Sequence, residues 1–323
     1  MKLQEINILD IENIKLGHAT NKEAATGVTT VICERGAKVG ACIFGGGPAN
    51  RDFSMADPLT ATQVIHAVVL GGGSAFGLDA GGGVQEYLEK KGIGLDVGVT
   101  RVPLVSEINL FDLTVGKYDV RPDHQMGYEA AANAYEEKTE FPVGNVGVGT
   151  GASHGKAYGI DRAMKSGFGT YAVQIGELKV GAIVAVNCFG DVFDIDDGHQ
   201  ISGLLNPEKN GLDNSEWALY QTVVKDTNLF VGNTSIGAVI TNGDFTKDEM
   251  NKISRMAHGG YVRTIRPVNT TADGDSVFAL SVGDVVANLD MVGTIASYVM
   301  GKAVNNAVLS AESEYGLIAA KDL

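Results

Sequence analysis

Proline and cysteine are both scarce in this chain, at 7 and 3 of 323 residues. The cysteines, Cys33, Cys42 and Cys188, are not spaced as a metal knuckle. Their odd number suits a reducing compartment, and they read as small buried hydrophobes. No run of about 20 apolar residues is present, so no membrane-spanning helix is expected. The first 17 residues alternate acidic and apolar side chains, without a basic stretch leading into an apolar core. A secretory signal is therefore not expected, and a soluble cytoplasmic protein is. Positive charge is also in deficit: 25 Lys+Arg stand against 39 Asp+Glu, a net charge of −14. Such a field repels phosphates and argues against nucleic acid or an anionic membrane as partner.

Apolar residues are 44% of the chain and charged residues 20%, a globular composition with enough material for a sizeable core. Glycine is in excess: 43 residues, about 13% against a usual ~7%. Glycine without proline points to tight turns and closely packed backbone rather than to linkers. Gly27–Cys33 and Lys38–Phe44 read as two strands of a hairpin around Glu34-Arg35-Gly36. Pro58–Leu70 begins with helical spacing and ends apolar. A helix carrying Leu78, Val84, Tyr87 and Leu88 is predicted to end at Lys90-Lys91-Gly92. Lys117–Glu140 reads mostly as an exposed helix. Tyr171–Phe189 holds two strands about a turn at Gly176-Glu177. Gly198–Asn214 is polar, loop-like and the expected site of mobility. Leu229-Phe230-Val231 and Ile236–Thr241 read as strand on either side of a polar tripeptide. Thr246-Lys247-Asp248-Glu249 is a capping box. A strand over Ser276–Val282 and a helix over about Asp290–Leu309 follow. Strands and paired helices without regular alternation argue for a layered α+β fold.

Several segments could carry chemistry. Gly71–Gly77 precedes a helix but fits no phosphate-loop pattern, so a tight packing turn is the plainer reading. Lys156 stands alone in the glycine-dense stretch 145–159 and reads equally as a surface lysine. The six histidines are never paired at helical spacing, and the acidic run Asp191–Asp197 reads as a solvated turn rather than a calcium loop. Asn187 is an amide at the end of an apolar strand; a site-facing asparagine can donate to an oxyanion. Asp273 and Asp275 flank Gly274 just ahead of a strand. They can reach one site from a loop or simply make an Asp-Gly turn.

The most informative segment is 230–237, where Asn233-Thr234-Ser235 interrupts an apolar run. It reads either as a bulge or as a bond set up for self-cleavage. A threonine hydroxyl can attack the carbonyl of the preceding residue. The threonine then released carries a hydroxyl and an α-amine of ordinary pKa ~7.7–8.0, a suitable base at neutral pH.

At these residues the sequence resembles the self-processing L-aminopeptidase/D-esterase (DmpA-like) hydrolases, which include β-aminopeptidases and nylon-oligomer hydrolases. The resemblance runs through Gly17-His18-Ala19-Thr20, Gly45-Gly46-Gly47-Pro48, the stretch 66–80, Phe111-Asp112-Leu113, 149–156, Arg162-Ala163-Met164-Lys165, Asn233-Thr234-Ser235-Ile236-Gly237 and Asp273-Gly274-Asp275. It implies a four-layer αββα sandwich, in outline like the ornithine acetyltransferases, forming a single catalytic domain over 1–323. It implies cleavage between Asn233 and Thr234 into chains 1–233 and 234–323, with Thr234 as nucleophile and Asn187 on the oxyanion side. Lys156, Asp273 and Asp275 match the lysine and acid pair of the nylon-oligomer branch. Aminopeptidase members use a serine nucleophile; Thr234 departs from that.

The function expected is cleavage of amide or peptide bonds in small or short-peptide substrates, without metal or organic cofactor, by a homo-oligomer of processed protomers. In that scheme Asp273 and Asp275 position the Thr234 amine and hydroxyl, with Lys156 as electrostatic support. The alternatives are an acyltransferase using the same covalent step and a non-catalytic glycine-loop binding protein.

Overall fold

The computed structural model describes residues 2–221 and 232–323. Its central feature is one long strand, Thr26–Ile43, that belongs to two sheets. Its first half pairs antiparallel with Lys15–Asn21 on one side and Ile65–Gly71 on the other. Its second half, Lys38–Ile43, pairs antiparallel with Ser276–Val285. The hairpin expected over Gly27–Phe44 is therefore not formed. The chain bends at Gly36 (φ +82°) and continues. An added Cβ at Gly36 would lie 2.6 Å from the Val64 side chain, so glycine is required for both angle and space.

The first sheet continues from Ile65–Gly71 to the parallel strand Val105–Asn109 and the edge strand Ala49–Arg51. The second runs Gln4–Ile6, Phe168–Ile175, Leu178–Ala185, Ile236–Gly243, Ser276–Val285 and the end of the shared strand. Alternation along the strands builds three apolar layers. Val68 and Leu70 meet Ile183, Ala238, Ile240 and Leu280 between the sheets. Ala67 and Val69 face outward onto helices Ala80–Lys90 and His124–Asn133. Val239, Val277 and Ala279 face the opposite way onto helices Lys247–Ala257 and Leu289–Leu309. The result is the αββα sandwich.

Local signals explain the element ends. Thr246 and Glu249 form the expected reciprocal cap. Gly92 follows helix Ala80–Lys90 at φ +71°. Gly176 (φ +61°) turns Phe168–Ile175 into Leu178–Ala185. Other expectations need correction. The start of Pro58–Leu70 is not helical; only the apolar end is regular, as strand Ile65–Gly71. The helix within Lys117–Glu140 is limited to His124–Asn133, and Gly127, Ala130 and Ala131 are buried. Of the acidic run, Asp196 and Asp197 lie in an exposed turn as expected, but Asp191 does not. It is buried and accepts hydrogen bonds from Leu204 N and from Ser215 N and Oγ. The strand expected over 229–231 lies outside the described residues.

Topology fixes where the chemistry falls. Ile236–Gly243 and Ser276–Val285 are neighbours and parallel, with Ile236 opposite Ser276. Their entrances lie at one end of the sheet. Thr234-Ser235 leads into one strand and Asp273-Gly274-Asp275 into the other. Leu178–Ala185 runs antiparallel to Ile236–Gly243, with Ala185 opposite Ile236. It therefore delivers Asn187 to the same end.

Candidate active site

The polar residues gathered there are almost wholly buried: Thr234 is 3% exposed, Asn233 and Lys156 1%, Asn187, Asp273 and Asp275 0%. The chain is continuous through Asn233–Thr234. The Thr234 hydroxyl hydrogen-bonds to the carbonyl oxygen of Asn233. That same oxygen accepts the Gly274 N–H at 3.2 Å. The Thr234 N–H donates to the Asn187 carbonyl oxygen at 2.9 Å. A hydroxyl, the carbonyl beside it and a donor to that carbonyl thus share one point.

Glycines make this approach possible. Gly232 adopts φ +64°, and an added Cβ would lie 2.0 Å from the Phe111 ring. An added Cβ on Gly274 would lie 2.8 Å from Thr234 Oγ1. The loop Gly45-Gly46-Gly47 lies against the Asp-Gly-Asp turn, with Gly47 N donating to Asp273 O at 2.8 Å. The side-chain amide of Asn233 is buried, and neither its oxygen nor its nitrogen finds a partner among the described residues.

Lys156 is not a surface lysine. Its Nζ donates to Asn187 Oδ1 at 2.7 Å and to the carbonyl oxygens of Asn187 and Gly232, both at 3.3 Å. Burial lowers its pKa to about 8, against the opposing pull of nearby Asp273 and Asp112. Lys165 is also buried, but its ammonium goes to the carbonyl oxygens of Gly149, Ala152 and Ser166, a structural use.

Asn187 accepts from Lys156 and from Ser153 N (3.1 Å) through Oδ1. Its Nδ2 donates to Phe111 O (2.8 Å) and Gly232 O (3.3 Å). In the joined chain, then, its amide is directed at the residue before Asn233, and Gly274 N–H serves the Asn233 carbonyl. The acid pair accepts mainly backbone N–H groups. Asp275 accepts Ser235 N at 2.7 Å and Asn269 N at 3.0 Å. Asp273 accepts Phe189 N (3.4 Å) and Thr270 N and Oγ1 (2.8 and 2.5 Å). Asp275 thus holds the backbone beside Thr234, and Asp273 holds Phe189 and its own turn at Thr270. Burial raises both carboxyl pKa values, and Asp273 adds to the rise at Asp275.

Sequence reasoning assigned no role to Gly274 or Asp112. Only the neighbouring aspartates marked Gly274. Asp112 is buried and accepts Thr26 Oγ1 (2.6 Å) and Gly73 N (2.7 Å). It therefore occupies an amide of the glycine loop that a phosphate would need, which supports the packing reading of that loop. Its pKa is raised to about 6 by burial. Among the described residues no group of three or more His, Cys, Asp or Glu could hold a metal ion, and no helix is long and apolar enough to cross a membrane.

Comparison with known proteins agrees with this geometry. The family model Peptidase family S58 matches residues 7–319. A Mycobacterium leprae protein described as an uncharacterized aminopeptidase is 33% identical, over 96% of this chain and 92% of its own. The 6-aminohexanoate-oligomer endohydrolase of Paenarthrobacter ureafaciens is 28% identical, over 93% of this chain and 85% of its own. In three dimensions the chain resembles the L-aminopeptidase D-Ala-esterase/amidase of Ochrobactrum anthropi, described as a variant of the Ntn hydrolase fold. The TM-score is 0.68 at 16% identity, covering 97% of this chain and 90% of that one. The chain belongs to peptidase family S58, and its chemistry is the hydrolysis of amide bonds.

Proposed function

We propose that the protein is a self-processing aminopeptidase-like hydrolase whose nucleophile is Thr234, freed by cleavage of its own Asn233–Thr234 bond. The carrying observation is the Thr234 hydroxyl on the Asn233 carbonyl, with Gly274 N–H donating to the same oxygen. In the first reaction Thr234 Oγ1 bonds to the Asn233 carbonyl carbon, and negative charge grows on the oxygen facing Gly274 N–H. The C–N bond breaks, nitrogen takes the hydroxyl proton, and an Asn233 ester with a free Thr234 amine results. Water hydrolyses the ester to the Asn233 carboxylate and restores the hydroxyl.

Turnover repeats the attack on an external amide, with the Thr234 amine taking the hydroxyl proton. That amine starts against Asn187 O. Loss of Gly232 and Asn233 from the site would turn Asn187 Nδ2 toward the substrate oxyanion. Lys156 supplies a positive charge beside it, Asp275 links the two strand entrances through Ser235 N, and Asp273 holds Phe189 and the turn at Thr270. A single catalytic unit of chains 1–233 and 234–323 follows, assembling into a closed homo-oligomer; light scattering should give several times 33.8 kDa. The relatives' names favour small amide substrates with a free amine.

The test is a trio of variants. Thr234→Ala should stay uncut and inactive. Thr234→Ser should be cut and retain activity, since it keeps the hydroxyl and loses only a methyl. Ser235→Ala should be cut normally. An active Thr234→Ala overturns the proposal.

A further inference from the structure

One feature outside the reacting atoms leads back to them. His258, 3% exposed, follows helix Lys247–Ala257. Its Nε2 is 2.8 Å from Asn269 Oδ1. Asn269 holds a left-handed backbone (φ +62°) and donates its N–H to Asp275 Oδ2 at 3.0 Å. The other oxygen of Asp275 takes Ser235 N–H at 2.7 Å, one residue from the nucleophile. His258 also packs against Phe44, the rings tilted by 33° with centroids 4.1 Å apart, and Phe44 N donates to Asp275 O at 3.0 Å. Tyr261 meets the imidazole edge-on at 5.5 Å.

The arrangement has a physical logic. A non-glycine residue at positive φ is strained and persists only where its surroundings hold it. The bond from its side chain to His258 is such a hold. It keeps the Asn269 N–H aimed at Asp275. Asp275 can then keep Ser235, and hence Thr234 Oγ1, at the reacting carbonyl. Phe44 packs on the imidazole and contacts Asp275 through its backbone. We infer that His258 is a positioning residue for Thr234, acting through Asn269 and Asp275, although it lies on a different element from all of them.

This rests on the roles proposed for Thr234 and Asp275, so the experiment separates the two. The readout is the first-order rate of conversion of newly synthesised full-length chain into fragments, for which the protein is its own substrate. His258→Ala and Asn269→Gly should each slow conversion by roughly ten- to a hundredfold, the scale of a small misplacement of reacting groups. Asn269→Gly leaves the left-handed backbone accessible but no longer fixed, because glycine also visits other conformations and the side-chain link to His258 is gone. The double variant should be no slower than either single one, because both break one chain of contacts. His258→Gln, which can still donate to Asn269 Oδ1, should recover most of the rate. Melting temperatures taken in parallel report folding. An unchanged rate in Asn269→Gly, multiplying losses in the double variant, or no recovery in a folded His258→Gln would overturn the inference. An unchanged rate in Asp275→Asn would instead overturn the role of Asp275 on which it stands.

Discussion

Replacement of Gly274 by alanine is the sharpest perturbation of the proposed first step. The added Cβ would lie 2.8 Å from Thr234 Oγ1, 3.1 Å from Thr234 Cγ2 and 3.0 Å from Gly47 O. Contacts under 3.0 Å are not tolerated, so the nucleophile or the turn that carries the Gly274 N–H must move. Movement of either one separates that N–H from the Asn233 oxygen or the hydroxyl from its carbonyl. Loss of one oxyanion donor costs about 10²–10³ in rate, about 2.7–4 kcal/mol. Self-cleavage should slow by that order. The fold should survive, because Gly→Ala lowers the entropy of the unfolded chain by roughly 0.4–1 kcal/mol, which offsets part of the local strain. The assay is a gel time course after a pulse of synthesis, with a thermal melt of the uncut product. A Gly274→Ala chain cleaving within about threefold of the unsubstituted rate would refute the assignment of Gly274 N–H. A collapsed melting temperature would assign the slowing to misfolding.

Two further outcomes follow. Asn187→Ala should lower both activity and stability, since Ser153 N loses its Asn187 Oδ1 acceptor while Lys156 keeps the carbonyl oxygens of residue 187 and Gly232; melting and activity measured together should show about 1–3 kcal/mol of lost stability for the buried Ser153 N–H left unsatisfied, and a wild-type melt with full activity contradicts this. Glu107 is buried and accepts Gly81 N at 2.8 Å, and burial pushes its carboxyl up to about 8 against the opposing pull of Gly81, Asn109 and Arg51. Its folded pKa is raised, so its contribution is fully present below about pH 4.5 and is lost as pH rises toward 8. Relative to the unsubstituted protein, Glu107→Gln should gain on the order of 4 kcal/mol across that window, and parallel denaturation curves at pH 4.5 and 8 that show no relative gain would exclude it.

Much of the site was legible in the sequence because its chemistry sits in short local patterns. Asn-Thr-Ser inside an apolar run conflicts with a plain strand, and the conflict marked the candidate site. What could not be read was what depends on chain crossing. The residues around Gly36 have the composition of a hairpin turn, yet the strand passes between two sheets there. Only the pairing of Lys38–Ile43 with Ser276–Val285 settles which. The same parallel pairing beside Ile236–Gly243 brings Gly274 to Thr234, and no local spacing encodes it. Lys156 looked like any lysine because burial is a tertiary property. Asn269 and His258 had no local signal at all; their link is made across the loop that precedes Asp275.

The central claim is that Thr234 becomes an N-terminal nucleophile, and intact mass with N-terminal sequencing of the active protein tests it most directly. The account predicts two chains: residues 1–233 ending in a free Asn233 carboxylate, and the 90 residues from 234 to 323 (323 − 233) beginning with Thr234. A single uncut chain of full activity, or a small fragment beginning at Ser235, would contradict it.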